Sequence, residues 1–130
     1  MQCIILAAGE GVRMRPLTLT TPKPLLRVYG KPIIDHILDS LPSAVDSVVL
    51  VVGYRREALI RYLGASRGGR RLEYIVQEKP TGTADALLKA REKLTGAFLL
   101  LYADDLHDPE GLRRLAAGNR LALLAAEHEH

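Results

Sequence analysis

The sequence has few of the residues that characterise secreted, membrane or nucleic-acid-binding proteins. A single cysteine among 130 residues cannot form an internal disulfide or a cysteine-based zinc site, which favours a reducing, cytoplasmic setting. Tryptophan is absent and aromatic residues make up 5%, so platforms for stacking nucleic-acid bases are scarce. The longest apolar run, residues 97–103, is far shorter than the roughly 18 residues of a membrane span. We therefore expect no nucleic acid and no membrane as partner.

The remaining composition is that of an ordinary globular domain. Apolar residues make up 48% and charged residues 25%, which excludes a chain that is disordered by composition. The length corresponds to one domain. The net charge of +3 comes from basic residues spread along the whole chain, a pattern that favours a small charged ligand such as a nucleotide.

Apolar runs alternate with stretches of helical periodicity along the chain. Strands are predicted at Cys3–Ala7, Ser47–Val52, Leu72–Gln77, Phe98–Ala103 and Leu121–Ala126. Helices are predicted from Pro32, over Glu57–Leu63, over Thr83–Leu94 and over Pro109–Ala117, the last with Asp108 as its N-cap. The apolar face of the third helix is predicted to consist of Ala84, Leu87, Leu88, Arg91 and Leu94. This alternation, with short connections, predicts an α/β fold with a mostly parallel sheet.

Several residues whose side chains could take part in catalysis or metal binding are interpreted as structural or solvated. Cys3 lies within an apolar run, where a small buried hydrophobe is expected. His36 lies on a predicted helix, and His107, His128 and His130 have no third ligand at metal-binding spacing, so all four histidines are interpreted as structural or solvated. The Arg55-Arg56 pair is typical of a solvated helix face. The segment Arg67–Arg71 is predicted to be a turn.

A glycine-rich segment, residues 6–18, follows the first predicted strand. Gly9 and Gly11 allow backbone N–H groups to turn toward an anion, and Arg13 supplies positive charge. The segment is neither a dinucleotide-binding fingerprint, because Met14 stands where a third glycine is required, nor a P-loop. A phosphate site and a plain turn both remain open at this point.

Two prolines enclose a lysine in the segment Pro22–Leu26. Pro22 and Pro24 stiffen the backbone on both sides of Lys23 and thereby fix the direction of its ammonium group. A proline-rich turn with a solvated lysine is the alternative.

The ends of the third and fourth predicted strands carry polar residues. Gln77 can present both a donor and an acceptor to a nucleobase, and Gly82 would let the base approach the backbone, although an ordinary loop has the same pattern. Asp104 and Asp105 follow the fourth strand, where adjacent carboxylates require a positive partner. Mg²⁺ is the expected partner, with Asp104 as its ligand and Asp105 as a loop acid or N-cap.

Four motifs in chain order carry a resemblance to a known family. They are IILAAGEGVRMRPLT at residues 4–18, Pro22–Leu26, Gly30–Ile33, and Gln77 followed by Gly82–Ala84 and Asp104. Together they resemble the N-terminal signature of the sugar-1-phosphate nucleotidylyltransferases over essentially the whole chain. The resemblance implies a Rossmann-like three-layer α/β/α fold, with an NTP and a sugar 1-phosphate as substrates, Mg²⁺ as cofactor, and an NDP-sugar and pyrophosphate as products.

The resemblance also assigns roles to individual residues. Arg13 and Lys23 are implied to be catalytic, Arg13 on the β- and γ-phosphates and Lys23 between the α-phosphate and the sugar phosphate. Asp104 is implied to bind Mg²⁺. The positions implied to bind the nucleotide are Leu6, Ala7, Ala8, Gly9, Gly11, Gln77, Gly82 and Thr83.

Some residues depart from the family pattern, and the identity of the substrates stays open. Val12 replaces a common threonine, and Ala103 replaces the glycine that usually precedes the aspartate. The family's sugar-binding segments are missing, so we expect residues 1–130 to be the N-terminal part of a longer domain that is inactive alone. A uridylyl- or thymidylyltransferase is favoured. A mannose-1-phosphate guanylyltransferase, a phosphocholine-type cytidylyltransferase and a catalytically silent regulatory module remain alternatives, and a homo-oligomer is compatible with each of them.

Overall fold

The computed structural model describes residues 1–9, 16, 19–79, 82–103, 110, 113 and 114. The strands of this part are β1 (Gln2–Ala7), β2 (Arg27–Val28), β3 (Lys31–Pro32), β4 (Ser47–Val52), β5 (Ser66–Arg67), β6 (Arg70–Val76) and β7 (Phe98–Tyr102). Its α-helices are α1 (Ile33–Ser40), α2 (Arg56–Leu63) and α3 (Thr83–Ala90), and Lys23–Leu25 and Arg91–Lys93 form short 3₁₀ turns. The predicted strand Leu121–Ala126 lies outside the described residues. Of the predicted helix Pro109–Ala117, Glu110, Arg113 and Arg114 are described, and they are helical.

Most of the sheet is parallel, as the sequence predicts. The strand order among the described residues is β5-β6-β4-β1-β7. Strand β1 pairs in parallel with β4 and β7, so that Ile4 lies beside both Val49 and Leu100. Strand β4 also pairs in parallel with β6, whereas β5 runs antiparallel to β6. Strands β1, β4 and β7 are continuous apolar runs because parallel strands are buried on both faces.

Helices cover both faces of this sheet. Alternate residues of the strands, such as Ile5 and Leu50, pack against Ile37 of α1 and Leu59 of α2 in one core cluster. The intervening residues, Ile4, Val49, Val51 and Leu100, pack on the other face with Ala86 and Ala90 of α3. The three-layer α/β/α arrangement implied by the resemblance is therefore confirmed.

The predicted face of the third helix is right for Leu87 and Leu94, which pack against the core on this side of the sheet, and wrong for Ala84 and Leu88. Leu88 is 63% exposed and Ala84 is also exposed, whereas Ala86 and Ala90 are buried against the sheet. Small residues allow the helix backbone to approach the strands closely, so the fully buried residues of this helix are alanines, with Leu87 packed beside them. The helix also ends at Ala90, and the next residues continue as the 3₁₀ turn.

The segment predicted as a turn is a β-hairpin. Only Gly68 and Gly69 form the turn, at φ of 59° and 79°, values that glycine adopts without steric cost. The residues on either side of them belong to β5 and β6. Arg70 ties this hairpin to the loop before β4, because its guanidinium donates to the carbonyl oxygens of Leu41, Pro42 and Val45 at 2.9–3.1 Å.

Two residues interpreted as structural are so. Cys3 is fully buried, and burial raises the pKa of its thiol to about 12. His36 is half-buried, and its Nε2 lies 2.5 Å from the carbonyl oxygen of Val28, which links α1 to the β2–β3 hairpin. No helix in the described ranges has the length and apolar character needed to cross a membrane.

Candidate active site

The carboxyl ends of four parallel strands lie along one edge of the sheet. Strand β1 leads there into Ala8 and Gly9, β4 into Gly53, β6 into Gln77, and β7 into Ala103. Backbone hydrogen bonds continue the strand pairing at this edge, from Gln77 N to Val52 O at 2.8 Å and from Ala103 N to Leu6 O at 2.9 Å. Ala8–Gly9, Gln77 and Ala103, the described ends of three segments singled out in the sequence, therefore meet at one rim.

The strand order reverses direction beside β1. The chain passes from β1 to β4 and on to β6 on one side, and then returns to place β7 on the other side of β1. In open α/β sheets, ligands bind beyond the carboxyl ends of the strands at such a reversal. This position lies between Ala8–Gly9 and Ala103, and Asp104 is the next residue along the chain.

The nucleotide-binding candidates on β1 differ in the direction of their side chains. Ala7 is buried in the cluster that contains α1 and α2, while Leu6 and Ala8 pack toward the α3 side. Gly9 is exposed, and a Cβ atom placed there would meet no described atom within 4 Å. Neither close packing nor a positive φ explains why this position is glycine. Without a side chain, the backbone of Gly9 is accessible to a ligand.

Gly53, which sequence reasoning missed, fills the narrow space between two strand ends. A Cβ atom there would lie 2.7 Å from the carbonyl oxygen of Gln77 and 3.0 Å from that of Ala8. Any larger residue would push the ends of β1 and β6 apart. The only sequence signal for this role is a glycine directly after a buried strand, which a simple turn would also show.

Gln77 joins the end of β6 to the first turn of α3. Its side chain is only 5% exposed, and its Nε2 lies 3.2 Å from Oδ2 of Asp85 and 3.4 Å from the carbonyl oxygen of Gly82. Gly82 precedes α3 at φ 98°, where glycine is favoured. Asp85 is a further site residue that the sequence analysis did not single out.

Thr83 connects the same helix to the end of β7. Its Oγ1 lies 3.1 Å from the hydroxyl oxygen of Tyr102, whose side chain is partly exposed at the rim. Gln77, Gly82 and Thr83 thus surround the start of α3, and the structure brings all three together as the sequence analysis expects.

Lys23 lies in the 3₁₀ turn between two buried prolines. The turn is closed by hydrogen bonds from Leu25 N to Pro22 O at 2.9 Å and from Leu26 N to Lys23 O at 3.0 Å. It packs against α1. The backbone of Lys23 is held by the hydrogen bonds of this turn. Its side chain is half-buried, so part of the side chain reaches solvent.

Two residues after β4 bind Leu19, which follows the glycine-rich segment in the sequence. The hydroxyl of Tyr54 lies 3.3 Å from the carbonyl oxygen of Leu19, and the guanidinium of Arg55 donates to the same oxygen. Arg55 has a left-handed backbone, φ 55° and ψ 36°, and stands just before α2. Its prediction as part of a solvated helix face is wrong, because its side chain binds the neighbouring segment.

Three of the predicted site residues, Gly11, Arg13 and Asp104, lie outside the described residues. Asp105, Val12, His107, His128 and His130 lie outside them as well. Within the described ranges, no group of three His, Cys, Asp or Glu side chains is arranged to hold a metal ion.

The fold and this rim define a class of protein, the Rossmann-like α/β proteins, with the reversal of strand order beside β1. The family model described as Nucleotidyl transferase matches residues 2–119. The chain belongs to the nucleotidyl transferase family, and the resemblance drawn from its sequence motifs is confirmed.

Known proteins of this family share a large part of the chain. The bifunctional protein GlmU of Methanococcus maripaludis is 42% identical over 104 residues, which are 80% of this chain and 25% of that protein. The UTP–glucose-1-phosphate uridylyltransferase AglF of Haloferax volcanii is 37% identical over 107 residues, 82% of this chain and 44% of that protein. A UDP-glucose pyrophosphorylase complexed with UDP-glucose has a similar structure, with a TM-score of 0.74 and 25% identity, covering 89% of this chain and 52% of that chain. This chain therefore spans about half of these proteins or less.

Proposed function

We propose that the full-length protein containing this chain is a sugar-1-phosphate nucleotidylyltransferase. An oxygen of the sugar phosphate attacks the α-phosphorus of an NTP, the bond from that phosphorus to the bridging oxygen breaks, and pyrophosphate leaves. The observation that carries the proposal is the meeting of Ala8–Gly9, Gln77, Gly82 and Ala103 at the rim beside the strand reversal. Membership of the family supports the same reaction.

This reaction needs no general base. A sugar phosphate is already an anionic nucleophile, so catalysis depends on the alignment of the two substrates and on neutralisation of their charge. A glycine-rich segment with arginine and lysine suits that requirement better than a His–carboxylate pair.

The residues divide this work by position. Gly9 and Gly11 offer backbone N–H groups to the triphosphate, and Arg13 neutralises the β- and γ-phosphates as pyrophosphate departs. Lys23 is directed by its proline-braced turn toward the α-phosphate and the incoming sugar phosphate. Ala8 lies against the nucleoside.

Mg²⁺ is the expected cofactor, with Asp104 as its protein ligand. A single protein carboxylate fits this ion, which commonly binds one or two carboxylates together with phosphate oxygens and water. Asp104 directly follows Ala103 in the sequence, and the N–H of Ala103 donates a hydrogen bond to the carbonyl oxygen of Leu6 in β1. When bound, Mg²⁺ supplies positive charge to the phosphate oxygens.

A uridylyl- or thymidylyltransferase is the favoured form of the enzyme. Gln77, Gly82 and Thr83 lie together at the N-terminus of α3. Their polar side-chain and backbone atoms could form hydrogen bonds with a nucleotide base. The names of AglF and of the UDP-glucose pyrophosphorylase also refer to uridine nucleotides and glucose. Glucose 1-phosphate is therefore the first acceptor to test.

The proposal is tested by pyrophosphate release from the full-length protein with Mg²⁺. UTP, dTTP, GTP and CTP are each combined with glucose 1-phosphate, mannose 1-phosphate or phosphocholine. The expected result is rapid release with UTP or dTTP and a hexose 1-phosphate. Nucleotide binding without release for any pair would contradict the proposal and indicate a silent regulatory module. Preferential release with GTP or with phosphocholine would contradict the favoured form alone.

A further inference from the structure

Two neighbouring side chains just after β4 converge on one backbone oxygen. Nη2 of Arg55 lies 2.5 Å from the carbonyl oxygen of Leu19, and the hydroxyl of Tyr54 lies 3.3 Å from the same atom. Nε of Arg55 also lies 3.4 Å from the Tyr54 hydroxyl. A carbonyl oxygen has two lone pairs, and the hydroxyl can accept from Arg55 while it donates to Leu19, so the three contacts are compatible. We call these two side chains and the carbonyl group they hold the Leu19 clamp.

The Leu19 clamp adds little to the stability of the fold. Arg55 is exposed, and a hydrogen bond made there replaces one that the same group would make with water. Its backbone is left-handed, which is costly for most residues other than glycine, asparagine and aspartate. Backbone strain that the contacts of a residue do not offset is typical of functional sites. The clamp is therefore better explained by what it holds in place.

The chain around Lys23 is held on both sides. After the lysine, Leu25 and Leu26 pack against the core cluster that contains α1 and α2. Before it, the clamp holds Leu19, which stands four residues ahead of the lysine in the sequence. Pro22 restricts the backbone between these two positions. A displacement of Leu19 would therefore be transmitted over a short and stiff link to Lys23.

We propose that Arg55 is a positioning residue for nucleotidyl transfer, which together with Tyr54 holds Leu19 and thereby fixes the approach of the Lys23 ammonium to the reacting phosphates. This inference rests on the proposed function, because it takes Lys23 as a group that contacts those phosphates. Arg55 itself is assigned no contact with substrate. Since the reaction depends on alignment, a displaced ammonium lowers turnover more than it lowers substrate affinity.

The test measures pyrophosphate release from the full-length protein with Mg²⁺ and the NTP and sugar 1-phosphate that react fastest. Arg55→Asn removes the guanidinium but keeps a residue that tolerates the left-handed backbone. Its kcat is expected to fall about tenfold, with the KM of the NTP and the midpoint of urea unfolding nearly unchanged. Arg55→Lys keeps a cationic donor and is expected to restore most of the turnover. In a Lys23→Ala background, Arg55→Asn should cause no further loss, because it acts through Lys23.

Arg61→Asn is the matched control, because Arg61 is an exposed arginine of α2, and it should retain full turnover. Hydrogen exchange of residues 19–26, followed by mass spectrometry without substrate, should be faster in Arg55→Asn than in Arg61→Asn. Equal exchange in these two variants, an unchanged kcat in Arg55→Asn, or an undiminished further loss in the Lys23→Ala background would each overturn the inference. Absence of pyrophosphate release in wild type would count against the proposed function, and the exchange rates would still decide whether Arg55 holds this segment.

Discussion

Arg67 of β5 and Asp35 of α1 form an ion pair, with 2.9 Å between Nη2 and Oδ1. The second carboxylate oxygen of Asp35 accepts from the hydroxyl of Tyr62 on α2, and the guanidinium of Arg67 lies over the Tyr62 ring at 4.6 Å. The hydrogen bond with Tyr62 raises the pKa of Arg67 above its ordinary value. Three side chains from α1, α2 and β5 thus join the helices of one face to the edge of the sheet.

This ion pair should stabilise the fold more than an exposed one. The side chain of Asp35 is 14% exposed, so loss of Arg67 leaves a poorly solvated charge. A double-mutant cycle of Asp35→Ala and Arg67→Ala is expected to give a coupling of about 1 kcal/mol in urea unfolding. The pair Lys31–Asp39, 42% and 68% exposed, is the control and should give roughly 0.2–0.5 kcal/mol. Equal couplings would contradict the prediction.

Gly53→Ala should destabilise the protein despite the small size of the change. The added methyl group would meet the backbone oxygens of Gln77 and Ala8, and backbone cannot move aside as a side chain can. Overpacking of this kind costs about 1–3 kcal/mol, which urea unfolding would measure. Gly96→Ala is the control, because a Cβ atom there meets no described atom within 4 Å. A Gly53 variant as stable as the Gly96 variant would contradict this prediction.

The stability of the protein should fall above pH 9 partly because of Cys3. Burial raises the pKa of its thiol to about 12, from 9.0, so between these values the unfolded chain loses a proton that the folded chain keeps. The stability associated with the neutral thiol is present below pH 9 and is lost as the pH rises toward 12. Relative to Cys3→Ala, wild type should lose about 1 kcal/mol of unfolding free energy between pH 8 and pH 10. Tyr74, whose pKa is also raised by burial, is present in both proteins and cancels from the difference. Parallel pH profiles of the two proteins would contradict the prediction.

On the proposed reaction, Lys23→Ala should abolish most activity of the full-length protein without unfolding it. The turn around Lys23 is closed by backbone hydrogen bonds that the substitution keeps. Loss of one positioned donor to a reacting phosphate commonly costs about 10²–10³-fold in turnover, which a pyrophosphate-release assay would measure. Arg13→Ala is expected to behave in the same way.

Lys31→Ala is the control for charge alone. Lys31 pairs with Asp39 on α1, at 2.5 Å, and is not assigned to the site. It should retain nearly full activity. Near-normal turnover in Lys23→Ala, with an unchanged midpoint of urea unfolding, would show that Lys23 has no catalytic role.

Strong periodicity made much of the fold predictable. The strand Ser47–Val52 has the predicted limits, since a fully apolar run of that length fits a strand buried on both faces. The buried residues of α1, from Ile33 to Leu38, follow the helical spacing of the sequence. Where several faces of a helix are apolar, as in α3, the pattern does not reveal which face meets the sheet, and Leu88 was placed on the wrong side.

The site was less predictable, because its geometry depends on contacts between distant segments. The order Gly-Thr-Ala-Asp after Gln77 gives no sign that the Asp85 carboxylate turns back to the glutamine amide. Arg55 looks like any exposed helical arginine until Leu19 is found beside it. Gly53 has no signal of its own, since the oxygens that restrict it come from β1 and β6.

The left-handed backbone of Arg55 lowers the stability of the fold, whereas the side chain of the same residue holds Leu19 by a hydrogen bond. A non-glycine residue at φ 55° costs of order 1 kcal/mol, which glycine would recover in part. Yet glycine there would remove the guanidinium that holds Leu19, which follows the glycine-rich segment. Selection of this protein for heat resistance alone would favour Arg55→Gly, and the more stable variant would have lost the contact that holds Leu19.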